Sequence, residues 1–139
     1  MKLKWIVGAT ALALVILMTG CSSEDSQPAA TAETEAAEVH EIDASDAYER
    51  MNASDDYVLL DVRTAEEYAE AHIQGATLLP VDEVEAEAAE VLPDKNQVIY
   101  VYCRSGNRSA IAAATLADMG YTNVYDMGGL SDWPYGTVT

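Results

Sequence analysis

One interior cysteine of this chain has the neighbours a nucleophile needs. Cys103-Arg104-Ser105-Gly106-Asn107-Arg108 follows the apolar, β-branched and aromatic run Val98-Ile99-Tyr100-Val101-Tyr102 and precedes the Ala-rich run Ser109 to Met119. The first run is predicted to be a buried strand and the second a helix. Cys103 therefore stands on a short loop between them. In an open parallel sheet, sites form beyond the carboxyl ends of the strands. A loop that feeds a helix N-terminus offers unpaired N–H groups and the positive end of the helix dipole. Gly106 lets the backbone curl so that successive N–H groups turn inward as a nest. Arg104 and Arg108 add full positive charge. Each of these effects favours thiolate over thiol. A free cysteine, with a pKa of about 8.5, is only a few per cent ionised at neutral pH, and lowering that value to about 6.5 makes thiolate the major form. The same cradle would stabilise an anionic adduct on the sulfur. A buried cysteine packed as a small hydrophobe is the bland alternative. It leaves two arginines, a glycine, Ser105 and Asn107 in one loop without a reason.

The bulk numbers make that clustering of arginines stand out. The chain has 139 residues and a formal charge of −17. Lys2 and Lys4 lie in an N-terminal leader, so its removal takes the charge to −19 and leaves Arg50, Arg63, Lys95, Arg104 and Arg108 as the basic residues. Two of the five flank Gly106. So acidic a chain is a poor partner for nucleic acid or anionic headgroups. Cys21 and Cys103 are too few for a disulfide framework. His40 and His72 stand alone, without zinc spacing, so no metal and no cofactor is expected.

The order of segments sets where the loop is held. Met1 to Lys4 is a basic n-region and Trp5 to Met18 an apolar h-region, shorter than the roughly 20 residues of a full membrane span. Leu17-Met18-Thr19-Gly20-Cys21 resembles the bacterial lipoprotein signal, in which a small residue precedes a cysteine that is lipidated and becomes the new N-terminus. That pattern prefers Leu where Met18 stands. Residues 1–20 are thus expected to be a lipoprotein signal peptide and Cys21 the lipid attachment point. The acyl chains at Cys21 would hold the protein firmly, since one chain alone binds marginally. Residues 21–37 are expected to form a disordered acidic tether, rich in Ser, Glu, Ala, Pro and Thr and without apolar periodicity. Fully extended, it reaches on the order of 50 Å.

A single folded domain, residues 38–139, follows. Val39 to Ile42 is predicted to be a short strand. Asp43 or Ser45 caps a helix to about Met51, with Ala47, Tyr48 and Met51 on one side. Tyr57 to Val62 is a strand whose near-continuous apolarity suggests burial on both faces, with Asp61 the odd residue. Thr64-Ala65-Glu66-Glu67 is a capping box opening a short helix. Gly75 to Pro80 reads as a turn and short strand, and Asp82 to Leu92 as a helix with Val84, Ala88, Val91 and Leu92 on its apolar face. After the cysteine loop and its helix, Gly120 is a stop. Asn123 to Met127 is a last strand that Gly128-Gly129 breaks, and Leu130 to Trp133 forms one helical turn. Strands alternate with helices throughout, which predicts an α/β architecture with a mainly parallel sheet.

Loop length separates two chemistries. Cysteine phosphatases and related arsenate reductases place the oxyanion-clamping arginine six positions after the cysteine. Here Ser109 occupies that position and Arg108 is one short. A shorter ring of amides suits a persulfide sulfur better than a phosphoryl group.

Several stretches in order carry a family resemblance. They are Leu60-Asp61-Val62-Arg63, Glu67-Tyr68, His72-Ile73-Gln74-Gly75-Ala76 leading to Pro80, Tyr102 to Ser109 around the cysteine, and Gly128-Gly129-Leu130 with Trp133. From about Val39 to Val138 the chain resembles a single-domain rhodanese, a sulfurtransferase module. It departs at Ala71, a turn position where the family often has Gly. The resemblance implies a five-stranded parallel sheet flanked by helices on both faces and an active loop that begins at Cys103. It implies catalysis by Cys103 and donor binding by Arg104, Ser105, Gly106, Asn107, Arg108 and Ser109. It also implies a double displacement, in which Cys103 takes a sulfane sulfur from an anionic donor such as thiosulfate and yields it to cyanide or a thiol. Asp61 and Arg63 are expected to support the loop from the neighbouring strand end, with a surface ion pair as the plainer reading, and His72 to be a structural turn residue. A second function class is a persulfide carrier or redox-sensing module with an envelope thiol protein as partner and little turnover. The domain holds no second cysteine to resolve an oxidised Cys103. Membrane contact is expected through the lipid anchor only, outside the cytoplasm.

Overall fold

Strand and helix segments alternate along the folded part. The computed structural model describes residues 37–139. The elements are β1 (Val39–Glu41), α1 (Ala44–Ala53), β2 (Val58–Asp61), α2 (Ala65–Glu70), β3 (Thr77–Leu78), a 3-10 turn (Val81–Glu83) running into α3 (Val84–Val91), β4 (Ile99–Cys103), α4 (Asn107–Asp118), β5 (Val124–Gly129) and a closing 3-10 turn (Leu130–Asp132). The five strands form one sheet in the order β1-β5-β4-β2-β3, with every pairing parallel. The α/β class and the five-stranded parallel sheet expected from the resemblance are both present. The signal peptide, Cys21 and nearly all of the tether lie outside the described residues. Among the described residues no helix is long and apolar enough to cross a membrane.

The two-residue period of a strand splits the core into two layers. In β4 all five residues are buried. Ile99, Val101 and Cys103 pack with Leu60, Val62, Val84, Ala88, Ala112 and Leu116, on the side covered by α3 and α4. Tyr100 and Tyr102 pack the other way, with Leu59, Ile73, Ala47 and Met51, on the side covered by α1. The small residues Ala112 and Ala113 let α4 lie close on the sheet, and both are fully buried. Removing a large partner there, as in Leu116→Ala, would cost about 2–5 kcal/mol.

Several boundaries differ from the sequence expectation, each for a local reason. Helix α4 opens at Asn107, two residues before Ser109, because Gly106 itself makes the turn into it. Strand β5 continues through Gly128 and Gly129 instead of ending before them. The glycines form an irregularity in the β4–β5 register, in which Val101 pairs with Asp126 but Cys103 with Gly129. One residue of β4, Tyr102, therefore faces two of β5, Met127 and Gly128, as in a β-bulge. The α3 helix is preceded by a 3-10 turn rather than starting at Asp82. Tyr48, expected on the apolar side of α1, is half exposed and stacks on Tyr135 at 3.7 Å. The capping box of α2 forms as read, with Thr64 accepting from the Glu67 N–H and Glu67 accepting from the Thr64 N–H. Asp43 is the N-cap of α1 but its side chain makes no capping bond.

Candidate active site around Cys103

The strand end, the loop and the helix start are built so that the Cys103 sulfur faces backbone donors. Cys103 is the last residue of β4, and its inward direction puts it against α4. Gly106 then turns the chain at φ +96°, in the region that favours glycine, and donates its N–H to Cys103 Sγ at 3.0 Å. Burial pushes the Cys103 thiol up, since only 1% of the residue is exposed, but the N–H groups of Ser109, Ser105 and Gly106 and the Ser109 hydroxyl outweigh it. The net effect holds the thiol below its ordinary pKa. Hydrogen bonds to the charged form do this more than fixed charge does, with the Gly106 N–H donating directly to the sulfur. The arginines that the sequence reading credited are not the leading cause.

Ser109 and the two glycines of β5 fix the loop from behind. The Ser109 side chain is fully buried, and its hydroxyl reaches the Gly106 carbonyl at 2.9 Å and the Gly128 carbonyl at 3.3 Å. With one proton it donates to one acceptor at a time, one of these carbonyls or the Cys103 sulfur. Gly129 lies against the loop so closely that a Cβ there would stand 2.7 Å from the Arg104 carbonyl oxygen and 2.9 Å from Ser105 Cα. The absence of a side chain at Gly129 is thus a packing requirement of the active loop. From the sequence this glycine is a strand breaker and part of the family resemblance, with no contact to the loop implied.

Asp61 and Arg63 form a buried pair, not a surface one, with side chains 0% and 5% exposed. Asp61 accepts from Arg63 Nε at 2.9 Å and from Nη2 at 2.6 Å. It also accepts the Tyr102 hydroxyl proton at 2.6 Å. Arg63 Nη2 donates further to the Ala71 carbonyl at 2.7 Å, and Tyr102 Oη accepts the Ile73 N–H at 3.1 Å. Burial, with Asp61 next to it, pushes the Tyr102 hydroxyl up, so it stays protonated and donating. The pair makes no hydrogen bond to the loop itself. It acts one residue away, by pinning Tyr102 in the strand position before Cys103. Tyr102 is a member of this network that the sequence reading missed. It looked like one more aromatic in a buried strand.

The two loop arginines behave differently. Arg108 is held by Glu67 in a two-pronged pair, Nη1 to Oε2 at 2.7 Å and Nη2 to Oε1 at 2.9 Å. The Arg108 guanidinium pulls the Glu67 carboxyl down to about 2. Glu67 thus caps α2 and also pairs with Arg108, a second role that the capping box gives no sign of. Arg104 is exposed and, among the described residues, makes no ion pair. Ser105 and Asn107 are exposed on the loop surface. His72 takes part in a two-bond bridge to Val138, each N–H donating to the other's carbonyl at 2.8 Å, which agrees with a structural role. Among the described residues there is no cluster of side chains suited to a metal ion.

A strand-end thiol in a ring of backbone amides, on a five-stranded parallel sheet, defines a family. The model of the rhodanese-like domain matches residues 43–134, and the chain belongs to that family. It is 45% identical over 73 residues to the thiosulfate sulfurtransferase PspE of Escherichia coli, covering 52% of this chain and 70% of that protein. It is 36% identical over 99 residues to the putative sulfur carrier protein YrkF of Bacillus subtilis, covering 70% of this chain and 52% of that one. Among solved structures it resembles a rhodanese with anions from E. coli, with a TM-score of 0.57 and 41% identity, covering 60% of this chain and 98% of that one. Sulfur transfer is the general chemistry these relatives support.

Proposed function

We propose that this chain is a sulfurtransferase of a bacterial envelope, working through a persulfide on Cys103. The Cys103 thiolate attacks the sulfane sulfur of an anionic donor of the thiosulfate type. The sulfur–sulfur bond of the donor breaks and its electron pair leaves on sulfite. The new persulfide carries one negative charge, as the thiolate did. An acceptor thiolate, or cyanide, then attacks the outer sulfur, and the electron pair of the broken bond returns to Cys103 Sγ. No external oxidant or reductant is needed. The observation that carries this reading is the Gly106 N–H at 3.0 Å from Sγ, one of several loop amides that hold the thiol pKa down. The thiosulfate sulfurtransferase named among the relatives supports the donor class, and the solved rhodanese with anions supports an anionic ligand.

Arg104 recruits the donor, since Arg108 is already paired with Glu67. The basic n-region, h-region, Gly20 and Cys21 support a lipid anchor and a place outside the cytoplasm, with membrane contact through that anchor only. A second reading, a persulfide carrier with a dedicated envelope thiol protein, draws on the deep burial of Cys103 and on the relative named as a sulfur carrier. Thiocyanate formation from thiosulfate and cyanide, measured beside Cys103→Ser, tests the enzyme. Catalytic turnover that vanishes in the variant is expected. Stoichiometric loading followed by one slow discharge would favour the carrier, and absence of loading would refute both.

A further inference from the structure

Beside the active loop lies a cavity of about 290 Å³ with charges of both signs on its walls. Arg63, Glu67, Glu70, Arg104, Leu130 and Ser131 line it. Its basic side has two guanidinium groups with donors to spare. Arg104 has no ion pair among the described residues. Arg63 uses Nε and Nη2 for Asp61 and Ala71, and none of its hydrogen bonds uses Nη1. No fully buried side-chain nitrogen or oxygen among the described residues lacks a partner. Nη1 of this otherwise buried arginine is therefore open to solvent with donor capacity unspent, and Arg63 is a wall residue of the cavity. On the acidic side, Glu67 is taken by Arg108, whereas Glu70 is exposed and makes no ion pair among the described residues. The volume lies at or below the small end of ordinary ligand pockets, about 300–1,000 Å³.

The geometry points to an acceptor subsite for a zwitterionic thiol of amino-acid type, its carboxylate on Arg104 and Arg63 Nη1 and its ammonium on Glu70. This deepens the sulfurtransferase reading and rests on it. A single positive wall would suit any anion, but the free carboxylate of Glu70 beside it disfavours a group that is negative throughout and favours one carrying both charges. The domain's strong negative charge acts in the same direction, since an acceptor whose ammonium offsets its carboxylate carries one negative charge fewer as the reacting thiolate than a mercaptocarboxylate does, and meets less repulsion. In the transfer step the acceptor thiolate attacks the outer sulfur of the Cys103 persulfide. One sulfur–sulfur bond forms, one breaks, and Cys103 leaves as thiolate.

The test loads the full protein with thiosulfate and verifies by mass that Cys103 carries the extra sulfur. It then follows discharge by four probes of similar size: cysteine, 3-mercaptopropionate, cysteamine and 2-mercaptoethanol. Rates are compared per thiolate, and each ratio in a variant is divided by the same ratio in the parent, which cancels intrinsic thiol reactivity. Cysteine is expected to discharge the parent fastest. Glu70→Gln is expected to lower the cysteine to 3-mercaptopropionate ratio about fivefold, and Arg104→Ala the cysteine to cysteamine ratio by a similar factor, the size of one partly exposed ion pair. Both residues are exposed, so neither variant threatens folding. Equal ratios in the parent and both variants, with loading intact, would overturn the subsite alone. Failure of the parent protein to load at the first stage would overturn the sulfurtransferase reading and the subsite with it, whereas slower loading of Arg104→Ala is expected from its part in recruiting the donor and does not enter the discharge ratios.

Discussion

Gly129→Ala should damage the active loop without touching any of its residues. The added Cβ would stand 2.7 Å from the Arg104 carbonyl oxygen and 2.9 Å from Ser105 Cα, both backbone atoms of the loop. Ordinary carbon contacts need about 3.5–4.0 Å. Relief therefore requires the loop, or β5 behind it, to move on the order of half an ångström. Overpacking of this kind costs about 1–3 kcal/mol, which in a domain of about 100 residues lowers Tm by at least about 4 °C. The functional effect follows from the Gly106 N–H to Sγ bond, now 3.0 Å. Lengthening it weakens a hydrogen bond to a charged group, of a kind worth about 1.5–3 kcal/mol. The thiol pKa then rises, and alkylation of Cys103 by iodoacetamide at neutral pH slows by about tenfold. The pH profile of alkylation separates this from simple unfolding, because an unfolded cysteine would become more accessible. A variant with the parent's Tm and the parent's alkylation profile would show that Gly129 does not hold the loop. The reasoning from loop amides to thiolate would then fail at its most specific point.

Two further outcomes follow from the buried and half-buried ion pairs. Asp61→Ala leaves Arg63 buried without its partner and strands the Tyr102 hydroxyl. A loss of about 3–5 kcal/mol is expected in denaturant unfolding, and a loss under 1 kcal/mol would show that the network carries little. Glu67 has a folded-state pKa of about 2 against an ordinary 4.5, because Arg108 binds its ionised form. A depressed carboxylate contributes stability that is fully present above about pH 5 and is lost as the pH falls through about 2. The Tm difference between the parent and Glu67→Gln should therefore be constant above about pH 5 and shrink towards pH 2, with a ceiling near 1 kcal/mol because water screens the pair. A difference that does not change with pH would remove Glu67 from the acid response.

Reading the chain as a sequence placed Cys103 at a strand end before a helix, as the structure does, because those signals are local. A cysteine between an apolar strand and an Ala-rich helix, with glycine in the loop, carries its own context within a dozen residues. The two-sided burial of β2 was legible from its near-continuous apolar run, as was the burial of β4 from its own. The pairing of Glu67 with Arg108 was not, because the partners are 41 residues apart and the capping box already accounted for Glu67. Charge on a loop arginine is visible in sequence, whereas whether that charge is already spent is a tertiary fact. Gly128 and Gly129 were misread for the same reason. Two glycines weaken a strand in general, but here they let β5 bulge and come into contact with the loop, which only the register shows. Tyr102 likewise gave no sign that its hydroxyl joins Asp61 to Ile73 across the sheet.

The central claim is that Cys103 takes up sulfur and holds it as a persulfide. Incubation of the full protein with thiosulfate, followed by digestion under non-reducing conditions and mass measurement of the Cys103 peptide, tests it most directly. The account predicts a gain of one sulfur atom on that peptide, removed by cyanide and absent in Cys103→Ser. A free Cys103 thiol that stays unmodified by thiosulfate and other sulfane donors, while still alkylating rapidly, would contradict it.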